Sequence, residues 1–115
     1  MVWYSRPVLF VADVDRSVAF YESKLGFAEA WRHVDEDKAL VAQVDRDGCE
    51  IILSSQRPAR TGHGLLFISL DPDAIDGVRT ELEGRGAAVK DGHWGYRVMT
   101  VDDPDGNQLF FPYAD

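Results

Sequence analysis

The chain has 115 residues, and its twelve Lys and Arg stand against twenty Asp and Glu for a net charge of −8. That length suits one compact domain, and 45% apolar with 28% charged residues is the composition of an ordinary globular chain, not a disordered one. An acidic surface with no basic stripe repels a phosphate backbone, so nucleic acid is excluded as a partner, and no apolar run is long enough to span a bilayer.

Met1-Val2-Trp3-Tyr4-Ser5-Arg6 lacks the charged head and apolar stretch of an export signal, so a cytoplasmic location is expected. The apolar-rich run from Trp3 to Val11, with Pro7 inside it, predicts a strand near a sheet edge. Asp13 or Asp15 can cap a following helix, in which Val14, Val18, Tyr21 and Leu25 form one apolar stripe and Gly26 supplies the stop. Phe27 to about Asp35 and Ala39 to Asp45 read as strands, Asp47-Gly48 as a hairpin turn, and Cys49 to Ser54 as the next strand. Cys49 is the only cysteine, which excludes an internal disulfide and a cysteine-bound metal cluster.

Ser55 to His63 is polar and aperiodic, a linker. Beyond it, Gly64 to Leu70 predicts a strand, and Asp71-Pro72 a cap followed by proline at the first helical position. Ile75, Val78 and Leu82 form the buried stripe of that helix, and Gly84 or Gly86 ends it. Ala87 to Lys90, Tyr96 to Val101 and Asn107 to Phe111 are the last strands, with Asp103-Pro104-Asp105-Gly106-Asn107 as the final turn.

Two pairs of segments repeat at one offset of 58 positions. Val8-Leu9-Phe10-Val11-Ala12-Asp13 matches Leu66-Phe67-Ile68-Ser69-Leu70-Asp71, and Asp47-Gly48-Cys49-Glu50-Ile51-Ile52-Leu53 matches Asp105-Gly106-Asn107-Gln108-Leu109-Phe110-Phe111. An offset of half the chain length, shared by separate segments, predicts two similar βαβββ halves. These are repeat 1 over about 1–54, a linker over 55–63 and repeat 2 over about 64–115, in one α+β domain.

A doubled βαβββ unit with these sequences resembles the vicinal-oxygen-chelate superfamily, the glyoxalase, bleomycin-resistance and dioxygenase superfamily. The matching residues are Val11-Ala12-Asp13-Val14-Asp15-Arg16-Ser17-Val18-Ala19-Phe20-Tyr21, then Leu25-Gly26-Phe27, and Asp103-Pro104-Asp105-Gly106-Asn107. The resemblance implies two repeats forming cupped, barrel-like mixed sheets, a fold that hosts isomerases, dioxygenases, thiol transferases and drug-binding proteins. It also places the metal ligands of the family's enzymes at Arg6, Ile52 and Phe110, and the repeat puts the remaining one at Gly64. Such metals take nitrogen or oxygen donors, and these four side chains offer none that suits a cation. No metal and no cofactor is therefore expected, although His63, Glu50 or Gln108 leaves a displaced metal site open.

Strand alternation assigns Arg6, Val8, Phe10, Glu50, Ile52, Ser54, Leu66, Ile68, Gln108 and Phe110 to the inside of the cup. It assigns Leu9, Val11, Ile51, Leu53, Phe67, Leu109 and Phe111 to the core beneath the helices. The metal-free bleomycin-resistance branch resembles this chain most. His93-Trp94-Gly95-Tyr96-Arg97 looks like that branch's Trp-Gly motif, and Trp31 matches an aromatic position there. The resemblance implies a homodimer that sequesters an aromatic or cationic small molecule, such as an antibiotic, at its cleft. The candidate binding residues are Trp31, Trp94, Arg6, Glu50, Ser54, Tyr96 and Phe110, and no catalytic residue is assigned. The alternative is a metal-dependent glyoxalase- or dioxygenase-type enzyme with an unusual ligand set.

Overall fold

The computed structural model of the protein describes residues 1–113, so the last two positions of the second repeat lie outside the described residues. The chain runs β1 (Val8–Phe10), α1 (Val14–Leu25), β2 (Ala28–Asp35), β3 (Lys38–Arg46), β4 (Cys49–Ser54), a 3-10 turn (Pro58–Arg60) and β5 (Leu65–Phe67). It continues with α2 (Ile75–Gly84), β6 (Lys90–His93), β7 (Arg97–Asp102) and β8 (Gln108–Pro112). Each half makes its own four-stranded sheet, in the orders β1-β4-β3-β2 and β5-β8-β7-β6. In both, the first strand pairs parallel with the last and the other pairs are antiparallel. This is the doubled α+β plan, with the two sheets open and separate instead of closed into one barrel.

Local chemistry sets most boundaries. Asp13 caps α1 by accepting the Arg16 N–H at 3.1 Å, and Gly26 ends it in the left-handed conformation at φ +72°. The α1 stripe Val14, Val18, Tyr21 and Leu25 is buried throughout. Asp47 and Gly48 both take positive φ, which matches a two-residue turn to the twist of β3 and β4. Glu36 and Asp37 do the same between β2 and β3, a hairpin signal without glycine.

Several predicted elements are corrected. Of the strand expected from Trp3 to Val11, only Val8–Phe10 pairs, because its parallel neighbour β4 begins its partnership at Ile52, and Met1 to Tyr4 stand exposed. Asp71-Pro72 does not open the second helix. Asp71 to Ala74 form a turn closed by the Ala74 N–H on Asp71 O at 2.8 Å, and α2 starts at Ile75 without a side-chain cap. The strand expected over Ala87 to Lys90 runs instead over Lys90–His93, where it can pair with β7.

The most consequential correction is in β5. Val8 sits opposite Ile52, but the second-half equivalent of Ile52, Phe110, faces Phe67 and not Leu66. The repeat offset is therefore 59 on this strand and 58 on its neighbour, and a one-residue slip exchanges the two faces. Leu66 and Ile68 pack on the core, while Leu65 and Phe67 look out from the sheet.

The halves interlock reciprocally. One buried cluster draws on both, including Val14, Tyr21, Ile51 and Leu53 from the first and Leu82, Met99, Leu109 and Phe111 from the second. The helix of each half is tied to the last turn of the other. Arg16 reaches Asp105 at 3.0 Å and Tyr21 reaches Asp103 at 3.2 Å, while Glu81 of α2 holds Arg46 at 2.7 Å. Asn107 knots the junction: its amide donates to Phe10 O and Asp103 Oδ2, and its oxygen accepts the Gly64 N–H at 2.8 Å.

Candidate functional site

The faces of the two sheets turned away from the helices carry the candidate residues, in two clusters. On the first sheet, pairing sets Trp31 opposite Gln43, Gln43 opposite Ile52, and Asp45 opposite Glu50. Gln43 is only 3% exposed, and its amide is the hub of the cluster. Its oxygen accepts from Arg6 Nη1 at 2.8 Å and from Trp31 Nε1 at 3.0 Å, and its nitrogen donates to Asp45 Oδ1 at 2.9 Å and Glu50 Oε1 at 2.7 Å. Arg6 and Trp31 can only donate and the carboxylates only accept, so the amide has one orientation that satisfies all four. Tyr4 lies at the margin, its phenol held above the ordinary value first by hydrogen bonding to Glu50.

Arg6 and Glu50 thus meet through Gln43. Ser54 lines an open groove on this face with Val8, Phe10 and Ile52, but its hydroxyl is buried and already accepts the Gln56 N–H at 3.2 Å.

The second cluster is aromatic. Phe67, Trp94 and Phe110 meet edge to face, with ring centroids 5.5 to 5.8 Å apart. Phe110 is nearly buried, whereas Phe67 is 40% and Trp94 53% exposed. Trp94 comes from the loop between β6 and β7, where Gly95 takes φ +70° and the Trp94 N–H closes on Tyr96 O at 2.8 Å. Tyr96 is exposed beside it. The predicted residues therefore fall into an Arg6, Trp31 and Glu50 group on one sheet and a Trp94 and Phe110 group on the other.

Two members of these clusters escape the sequence reading. Gln43 shares a strand face with Val41 and Asp45, so extending alternation to β3 would have found it. Phe67 reads as a core residue under a uniform repeat offset, which hides the slip in β5.

The metal positions can be tested on donor chemistry. Arg6 points its guanidinium at Gln43, and Ile52 and Phe110 are hydrocarbon. A Cβ on Gly64 would lie 2.5 Å from Leu9 Cδ2 and 2.8 Å from Asn107 Oδ1, so a side chain there would have to displace one of them. The position equivalent to Arg6 on the slipped strand is Leu65, which is equally without a donor. His63 stands in a groove with Val8, Phe10, Arg60 and Gly64, and Glu50 and Gln108 belong to different sheets. Among the described residues, no three His, Cys, Asp or Glu side chains converge as a metal site. The residues present do not fit the superfamily's metal. No helix among the described residues is long and apolar enough to cross a membrane.

Comparison with known proteins agrees with this fold. The family model of the Glyoxalase/Bleomycin resistance protein/Dioxygenase superfamily matches residues 3–111. No curated protein sequence matches the chain. Among solved structures, the antibiotic-binding protein TnmS3 from Streptomyces sp. CB03234 superposes with a TM-score of 0.77 at 21% identity, covering 99% of this chain and 98% of that one. The bleomycin-binding protein from Streptomyces verticillus, complexed with copper(II)-bleomycin, gives 0.71 at 25% identity over 100% of both chains. A lactoylglutathione lyase from Agrobacterium tumefaciens gives 0.73 at 18% identity, covering 98% of this chain and 95% of that one.

Proposed function

The chain belongs to the Glyoxalase/Bleomycin resistance protein/Dioxygenase superfamily, and on that footing we propose that it is a metal-independent protein that binds an aromatic or cationic small molecule, such as an antibiotic, at the cleft of a homodimer. The observation that carries this reading is the Phe67–Trp94–Phe110 cluster, with Phe67 and Trp94 exposed, on a sheet whose metal position holds a phenyl ring. Superfamily enzymes need the metal to polarise substrate oxygens. With no donors for it, what remains is a surface suited to binding.

Each sheet supplies a different half of the recognition. A flat ring stacks on Trp94 and Phe67, which adds roughly 0.5–1.5 kcal/mol beyond burial. Asp45 and Glu50, held side by side by the Gln43 amide, face a cation. Trp31, with its N–H engaged, offers its ring edge-fixed as a second wall.

A second copy is what brings these halves together. Val8, Trp31, Leu65, Phe67 and Trp94 are all exposed on one chain, apolar surface of the kind a second copy can cover. A two-fold axis sets the first sheet of one chain against the second sheet of its partner and covers both. The antibiotic- and bleomycin-binding neighbours support this reading.

The test is tryptophan fluorescence titration against aromatic and cationic antibiotics, with light scattering for mass and elemental analysis for metal. Saturable quenching by a ligand, a dimer mass and no stoichiometric metal are expected. A stable monomer at micromolar concentration overturns the dimer. One Zn, Ni, Fe or Mn per chain overturns the metal-free reading in favour of an enzyme.

A further inference from the structure

On the helix side, away from both open sheet faces, the two halves leave a cavity of about 110 Å³ between the end of α1, the start of β4 and α2. Its wall is mostly apolar, with Leu25, Phe27, Leu70, Leu82 and Phe111, while Arg46, Asp47, Cys49 and Ser69 bring the polar groups. The Arg46 guanidinium is tied down by its neighbours, with Nε donating to Asp47 Oδ2 at 3.5 Å. Nη1 donates to Leu25 O at 2.7 Å and to Glu81 Oε2 at 3.0 Å, and Nη2 donates to Glu81 Oε1 at 2.7 Å.

The Arg46 charge at this wall is answered by Glu81 and Asp47. The buried unpartnered polar side-chain atoms among the described residues are Ser17 Oγ and Asp105 Oδ2, and neither residue lines it. Burial pushes the Cys49 thiol up, so it stands there neutral. A dry apolar cavity of somewhat larger size, about 150 Å³, takes up benzene when engineered into another protein. We infer that this cavity is a second binding site, separate from the sheet faces, for one small neutral apolar molecule of about the bulk of a single aromatic ring. The inference does not rest on the ligand or oligomer proposed for the sheet faces.

Cys49 reports on the site, because it is the only cysteine in the chain and its alkylation can be counted without ambiguity. The experiment measures the rate of modification by N-ethylmaleimide at fixed pH while benzene is titrated. The rate should fall hyperbolically, to about one fifth when benzene stands at about four times its Kd. Val78→Phe fills the cavity from α2 and should make the rate independent of benzene; Val78→Met is a milder filling that does the same in part if the larger ring prevents folding. Trp94→Ala, on the other face, should leave the protection intact. A wild-type rate that ignores benzene overturns the inference. So does protection that persists undiminished in both filling variants. Protection that disappears in Trp94→Ala overturns it as well, by moving the benzene to the aromatic cluster.

Discussion

Tyr21 and Asp103, 82 positions apart, meet in the core, where the phenol donates to Asp103 Oδ2 at 3.2 Å. Burial first, and then the neighbouring Asp103 charge, push the Tyr21 hydroxyl well above its ordinary value, so it stands as a protonated donor at neutral pH. Asp103 also accepts the backbone N–H groups of Asp105 and Asn107 and the Asn107 amide. Tyr21→Phe removes one of these bonds and should cost about 1–2 kcal/mol in urea unfolding. Asp103→Ala strips the whole turn of its acceptor and should cost more. Equal losses for the two would show that the phenol, and not the turn, carries the effect.

Gln43→Met keeps the volume of the hub and removes its amide. Asp45 and Glu50 then lose their shared donor and Trp31 Nε1 its acceptor, for roughly 1–3 kcal/mol of stability. The Trp31 indole N–H resonance should move at the same time. A resonance left in place would mean that Trp31 is positioned by packing alone.

Arg46 first, and Arg85 next, hold the Glu81 carboxyl below its usual value. A carboxyl lowered in the fold stabilises above its unfolded pKa and loses that contribution as pH falls through the folded one. Glu81→Gln should therefore lower Tm at pH 7, with the gap to wild type closing as pH drops below about 4. Glu81 is partly exposed, so the effect should stay within about 1 kcal/mol. A gap that is constant across this range would assign it to altered packing.

For a ligand found in the fluorescence screen, Phe67→Ala and Trp94→Ala should each weaken binding by roughly 1–3 kcal/mol and leave the assembly mass unchanged. Raising salt should weaken a cationic ligand and spare a neutral one. If Trp94→Ala changes the mass but not the affinity, Trp94 is an assembly residue.

The first half was the more legible one. Asp13, Gly26 and the Asp47-Gly48 turn are local devices, and each acts within a few residues of itself. The failures share a different cause. The outward turn of Phe67 depends on how β5 lies against β8, and the start of α2 depends on a turn that competes with the Asp71-Pro72 cap. Gln43 is polar in a strand of buried neighbours, yet its meaning comes from Arg6, Trp31 and Glu50 on three other segments. Such partners are set by pairing register, which a single strand does not encode.

The reciprocal docking of each helix on the opposite half's last turn has a consequence during synthesis. The hydroxyl of Tyr21 finds its acceptor 82 residues later, and Arg16 waits 89 residues for Asp105. At ribosomal speeds of about 5–20 residues per second, the Tyr21 hydroxyl waits roughly 4 to 16 s for Asp103 to be made. A synonymous slowdown between the Tyr21 and Asp103 codons lengthens that wait, whereas one placed before Tyr21 leaves it unchanged.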